Sequence, residues 1–80
     1  MIKITLYSKD GCHLCEIVKN DLASLKKIHP HLTFQLHEID ITQDRELFKK
    51  YCLTIPVLEI GAKTLEAPIE KHQLIHALNL

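Results

Sequence analysis

Eighty residues make one domain, and ten Lys and Arg balance ten Asp and Glu, so no net field draws the chain to nucleic acid or to an acidic membrane. With 46% apolar and 25% charged residues the composition is that of an ordinary soluble domain with a modest core, not of a disordered or fibrous chain. No apolar run approaches a membrane span, Met1-Ile2-Lys3 does not open a signal peptide, and three cysteines are an odd number for a secreted disulfide framework; a cytoplasmic location is expected.

Ile2, Ile4 and Leu6 alternate with Lys3, Thr5 and Tyr7, a period of two that predicts a first strand. Ser8-Lys9-Asp10-Gly11 is a turn-forming cluster. From about Cys12 the period lengthens. Leu14, Val18, Leu22 and Leu25, flanked by Ile17 and Ile28, form one face of a helix that ends before His29 and Pro30. Residues 32–39 predict a second strand, with Leu32, Phe34 and Leu36 on one face. Residues 40–44 mark a turn and a helix start with Thr42 as candidate cap, and Leu47, Phe48 and Tyr51 belong to a short second helix. Pro56 opens a third strand, Gly61 to Lys63 suit a hairpin turn, and Thr64 and Leu65 make a weak fourth strand. Pro68 fits the first turn of a last helix with Ile69, Leu74, Ile75 and Leu78 as its apolar positions.

The order is β-α-β-α-β-β-α, with no repeat and no linker, so residues 1–80 form a single domain. A strand, a helix and a strand with short connections imply a parallel pair with a right-handed crossover. The closing hairpin adds antiparallel strands, giving a four-stranded mixed sheet flanked by three helices.

Cys12 and Cys15 fall where the first strand gives way to the first helix. That loop opens at the carboxyl edge of a parallel unit, where ligand sites concentrate. Cys12 stands at the helix start, beside unpaired N–H groups and the positive end of the helix dipole. Such a place favours thiolate and lowers the thiol pKa from roughly 8.5 toward neutrality. Lys9 adds to this effect and Asp10 opposes it. On one helical turn the two Cβ atoms are about 5–6 Å apart, against about 4 Å in a disulfide, so a small adjustment closes the bond. The exposed Cys12 would attack and the less exposed Cys15 would resolve the mixed disulfide. Metal binding and simple packing remain open for the pair. No second CxxC or closely paired HxxxH completes a zinc set, so no metal residues are assigned. Cys52 reads as a core thiol, His29 and His31 as a solvated turn, and His72 and His76 as exposed helix positions.

The stretch YSKDGCHLC resembles the opening of the glutaredoxins, and Thr54-Ile55-Pro56-Val57 resembles their Thr-Val-Pro segment, whose proline is cis. The nearest likeness is to small glutaredoxin-like proteins carrying CxLC and IPVL. The resemblance covers essentially the whole chain. It implies a thioredoxin-like fold and a thiol–disulfide oxidoreductase with Cys12 as nucleophile and Cys15 as resolving thiol. It also implies a cis Pro56 bordering the thiols, and an Ile55 backbone that pairs with an extended thiol-bearing peptide or glutathione. Tyr7, Lys9 and His13 are the further candidate substrate contacts. No tightly bound cofactor is expected. Glutathione is a candidate co-substrate, although His13-Leu14 replaces the usual Pro-aromatic pair and Thr64-Leu65-Glu66-Ala67-Pro68 stands where glutaredoxins have Gly-Gly. The expected partner is a protein or low-molecular-weight thiol or disulfide, and the expected state is a monomer. A non-catalytic binding module and a metal or iron–sulfur protein are the alternatives.

Overall fold

The computed structural model describes residues 1–80. Strand β1 (Ile2–Ser8) runs at the centre of a sheet of order β2-β1-β3-β4, with β2 spanning Phe34–Asp40, β3 Val57–Ile60 and β4 Lys63–Glu66. β1 pairs with β2 in parallel, Ile4 opposite Leu36, and with β3 antiparallel, Leu6 opposite Leu58. Helices α1 (His13–Ile28), α2 (Arg45–Tyr51) and α3 (Lys71–Ala77) complete the expected order. No helix is long and apolar enough to cross a membrane.

The period of two in β1 sends Ile4 and Leu6 to one face, where they join Leu58 and Ile60 from β3. Val18, Leu22 and Leu25 of α1 pack onto that face, and Ile69, Leu74 and Leu78 around α3 close the same core. Tyr7 points to the other face, where α2 lies. The covering there is thin: no residue of α2 is fully buried, and Phe48 is exposed. Ile41, Val57, Cys15 and Pro56 are buried outside the main core.

Several boundaries differ from the expectation, each for a local reason. β2 begins at Phe34; Leu32 is buried, but its N–H goes to the His29 carbonyl and it belongs to the turn after α1. Leu36 is exposed because β2 is an edge strand whose face is only partly covered. Asp44, not Thr42, caps α2: its carboxylate accepts from the N–H groups of Glu46 (2.9 Å) and Leu47 (3.2 Å). Thr42 lies in a separate 3-10 turn, Ile41–Gln43, and donates to Asp40 through both its N–H and its hydroxyl. These two bonds, hydroxyl first, hold the Asp40 carboxyl below the usual carboxylate range.

Pro68 is not in the first turn of α3. That helix is capped at Glu70 by a capping box with Gln73, and Pro68 precedes the cap in a cis peptide with Ala67. Leu74 is fully buried in the middle of α3, while Leu14, Ile17 and Ile28 on α1 remain exposed.

Candidate active site

Cys12 is the N-cap of α1, with extended backbone angles (φ −84°, ψ 98°). Gly11 before it turns at φ 77°, a conformation that an L side chain adopts only under strain, and so delivers the chain from β1 to the helix start. Cys12 and Cys15 are joined in a disulfide with Cα atoms 5.3 Å apart. The pair is asymmetric. Cys12 is half-buried, whereas Cys15 is 1% exposed. Cys12 Sγ accepts the backbone N–H of Cys15 at 3.2 Å, so a sulfur fills the role that a Ser or Asp oxygen usually plays at a cap.

The sheet brings a second loop to this edge. β1 ends where β3 begins, Tyr7 opposite Val57, so the Thr54-Ile55-Pro56 segment and the Lys9–Cys12 turn share one end of the sheet. The Ile55–Pro56 peptide is cis, as the resemblance implied, and Pro56 is buried. Ile55 has half of its backbone engaged. Its N–H already donates to the Tyr51 carbonyl at 3.0 Å, beside that of Thr54 at 2.9 Å, and only its own carbonyl is left without a partner.

The Tyr7 ring stacks on Tyr51 at 4.5 Å between centroids, and its hydroxyl donates to Glu59 Oε1 at 2.9 Å. Burial, first, and then this bond and the Glu59 charge push the Tyr7 phenol up to about 12, so it remains a neutral donor at any physiological pH. Lys9 and His13 are exposed and make no side-chain hydrogen bond or ion pair. The structure thus gathers Tyr7, Cys12, Cys15, Ile55 and Pro56 at one sheet edge, with Lys9 and His13 on its rim.

A polar cluster beneath the Lys9–Asp10 turn is absent from the expected set. Ser8, 3% exposed, donates to Glu38 Oε2 at 2.7 Å. Lys19 reaches Glu38 at 3.3 Å and Glu16 at 2.8 Å, and these carboxylates, Glu16 first, raise the Lys19 pKa. The cluster ties α1 to the ends of β1 and β2 beside a polar depression of about 310 Å³. Ser8 continues the Ile2, Ile4, Leu6 alternation, and that inward phase is the sequence signal that marks it. Cys52 is a free, half-buried thiol at the end of α2, not a core residue. A more apolar depression of about 440 Å³, lined in part by Ile28, Leu32 and Leu80, lies at the opposite end of the sheet and holds no cysteine.

Residues 3–79 match the family model described as "Glutaredoxin-like domain (DUF836)". The chain belongs to the glutaredoxin-like domain family. Among solved structures, this glutaredoxin-like domain is similar to a structural-genomics target protein from X. campestris, at 30% identity over 95% of both chains with a TM-score of 0.76. A malarial protein shares 13% identity, with 99% of this chain and 94% of that one covered and a TM-score of 0.71. Mitochondrial thioredoxin 3 from Saccharomyces cerevisiae, in its oxidized form, also shares 13% identity, covers 98% of this chain and 76% of that one, and gives a TM-score of 0.69. The last two likenesses show the thioredoxin-like fold alone. No curated protein sequence matches the chain.

Proposed function

We propose that this glutaredoxin-like domain is a thiol–disulfide oxidoreductase that cycles Cys12 and Cys15 between dithiol and disulfide, with a protein or small-molecule disulfide as its partner. The observation that carries the reading is the asymmetric pair: an accessible sulfur on a helix cap, bonded to a buried sulfur one turn into the helix. In the dithiol, the Cys15 N–H and the positive end of α1 favour the thiolate of Cys12 over its thiol.

That thiolate attacks one sulfur of the substrate disulfide. The substrate S–S bond breaks, its second sulfur departs with the electron pair and takes a proton from water, and a mixed disulfide with Cys12 remains. Cys15 gives up its proton to solvent and attacks Cys12 Sγ. The internal disulfide closes and the remaining substrate sulfur leaves as thiolate. Two electrons pass from protein to substrate, and an external thiol reductant returns them. The cytoplasm expected from the composition keeps such a pair supplied with reducing thiols. Tyr7, Lys9, His13, Ile55 and Pro56 are the proposed substrate contacts, and the working unit is a monomer.

Reduction of a small disulfide coupled to an external reductant tests the reading. The wild type turns over, Cys12→Ser loses about a hundred-fold or more in rate, and Cys15→Ser accumulates a mixed disulfide with substrate. No turnover in the wild type, or equal turnover in Cys12→Ser, contradicts it.

A further inference from the structure

The donors nearest the cis proline on this side of the disulfide are already engaged. Thr54 and Ile55 give their N–H groups to Tyr51, Ala67 gives its N–H to the Thr54 carbonyl at 3.4 Å, and Pro56 and Pro68 have none. Glu70 gives its N–H to Gln73 Oε1 at 2.8 Å. The Glu70 carboxylate stands at the start of α3, where the capping box couples it to Gln73 and His72 Nδ1 lies 3.2 Å from it. Glu66, exposed at the end of β4 and opposite Val57, adds a second negative charge beside the same segment. A substrate carboxylate arriving here meets two like charges and finds the N–H groups of Thr54, Ile55, Ala67 and Glu70 already engaged, and it must shed water to do so.

What the edge does offer is apolar. Leu53, directly before Thr54, is 96% exposed, and Leu14, inside the Cys12–Cys15 turn, is 50% exposed. Two large side chains held in water, one in the first turn of α1 and one on the loop before Pro56, at the same end of the sheet as the reactive sulfur, are a cost to the free protein, recovered only when something covers them. The unpartnered Ile55 carbonyl accepts one N–H from an extended chain, so backbone pairing supplies one bond and side-chain contact must supply the rest.

We infer that this site takes a peptidyl disulfide whose cysteine is flanked by apolar, uncharged residues, and discriminates against glutathione disulfide. The inference rests on the oxidoreductase reading above and names the substrate class for it. Glutathione carries a carboxylate at each end of its short chain and no apolar side chain. It therefore meets the carboxylates of Glu66 and Glu70 without covering Leu14 or Leu53. The exchange is the one already written, with Cys12 and Cys15 supplying two electrons to the peptide disulfide.

The test follows the oxidation of the reduced protein by four disulfides. They are an end-blocked peptide disulfide with leucine on both sides of its cysteine, the same peptide with aspartate there, glutathione disulfide, and neutral hydroxyethyl disulfide. Each rate is divided by that of free dithiothreitol with the same disulfide, which removes intrinsic reactivity. The leucine peptide is expected to exceed both glutathione disulfide and the aspartate peptide by about ten-fold. Leu53→Ser, a change at a solvent-exposed position, is expected to remove most of that advantage and to leave the hydroxyethyl disulfide rate within about two-fold. Glutathione disulfide matching the leucine peptide, or an unchanged ratio in Leu53→Ser, overturns the inference while the oxidoreductase reading stands. Oxidation by none of the four overturns both.

Discussion

The Cys12 sulfur occupies a place that sequence spacing could locate, because two cysteines three apart lie at the seam between a period-two and a period-3.6 segment, and the structure puts Cys12 at the helix cap there. Tyr7 is a different case. Its position in β1 was legible, but its bond to Glu59, 52 residues away, depends on the antiparallel pairing of β1 with β3. The raised Tyr7 pKa has a consequence for stability. The phenol is ionised above roughly 10 in the unfolded chain but only above about 12 in the fold. Its stabilising effect is therefore complete below pH 10 and is lost between pH 10 and 12. Ultraviolet titration of the phenolates should show one tyrosine ionising near 12 in the native protein, and Glu59→Gln should bring that midpoint back toward 10. Ser8 is the one buried polar side chain, and its hydroxyl serves Glu38 alone. Ser8→Ala is expected to cost about 1 kcal/mol in urea unfolding, since Glu38 keeps Lys19 and water as partners.

At the scale of elements, the turn chemistry decided where expectation and structure part. Asp40, Thr42 and Asp44 are all good capping residues within five positions, and the sequence does not say which one the helix chooses. The structure uses Asp40 for a 3-10 turn and Asp44 for α2. Asp44→Ala should cost about 1 kcal/mol, while Thr42→Ala should leave α2 intact; thermal melts of the two variants distinguish them. α2 has seven residues and none fully buried, so its cap matters more than that of α1, which buries Cys15, Val18, Leu22 and Leu25. Pro68 was expected inside α3 because proline suits a first helical turn, but Glu70 and Gln73 form a complete capping box two residues later and fix the start there.

Across the whole molecule, the strand and helix order was readable because each apolar pattern is clean and the connections are short. The parallel β1–β2 pair follows from handedness and connection length. The arrangement that puts the Thr54–Pro56 loop beside Cys12 needs β3 to lie against β1 on the side away from β2, and no local pattern encodes that choice. Ile4, Leu6, Leu22 and Leu58 bind the sheet to α1 and α3, so the site rests on the core rather than on its own contacts. Leu6→Ala, fully buried in the central strand, should destabilise the domain by about 3 kcal/mol in denaturant titration.

The pH dependence of Cys12 alkylation in the reduced protein, with Cys52 replaced by Ser, tests the central claim most directly. An accessible thiolate stabilised by the start of α1 predicts a midpoint clearly below the roughly 8.5 of a free cysteine, and Cys15 protected from the reagent. A midpoint at or above 8.5, or Cys15 reacting as fast as Cys12, would contradict it.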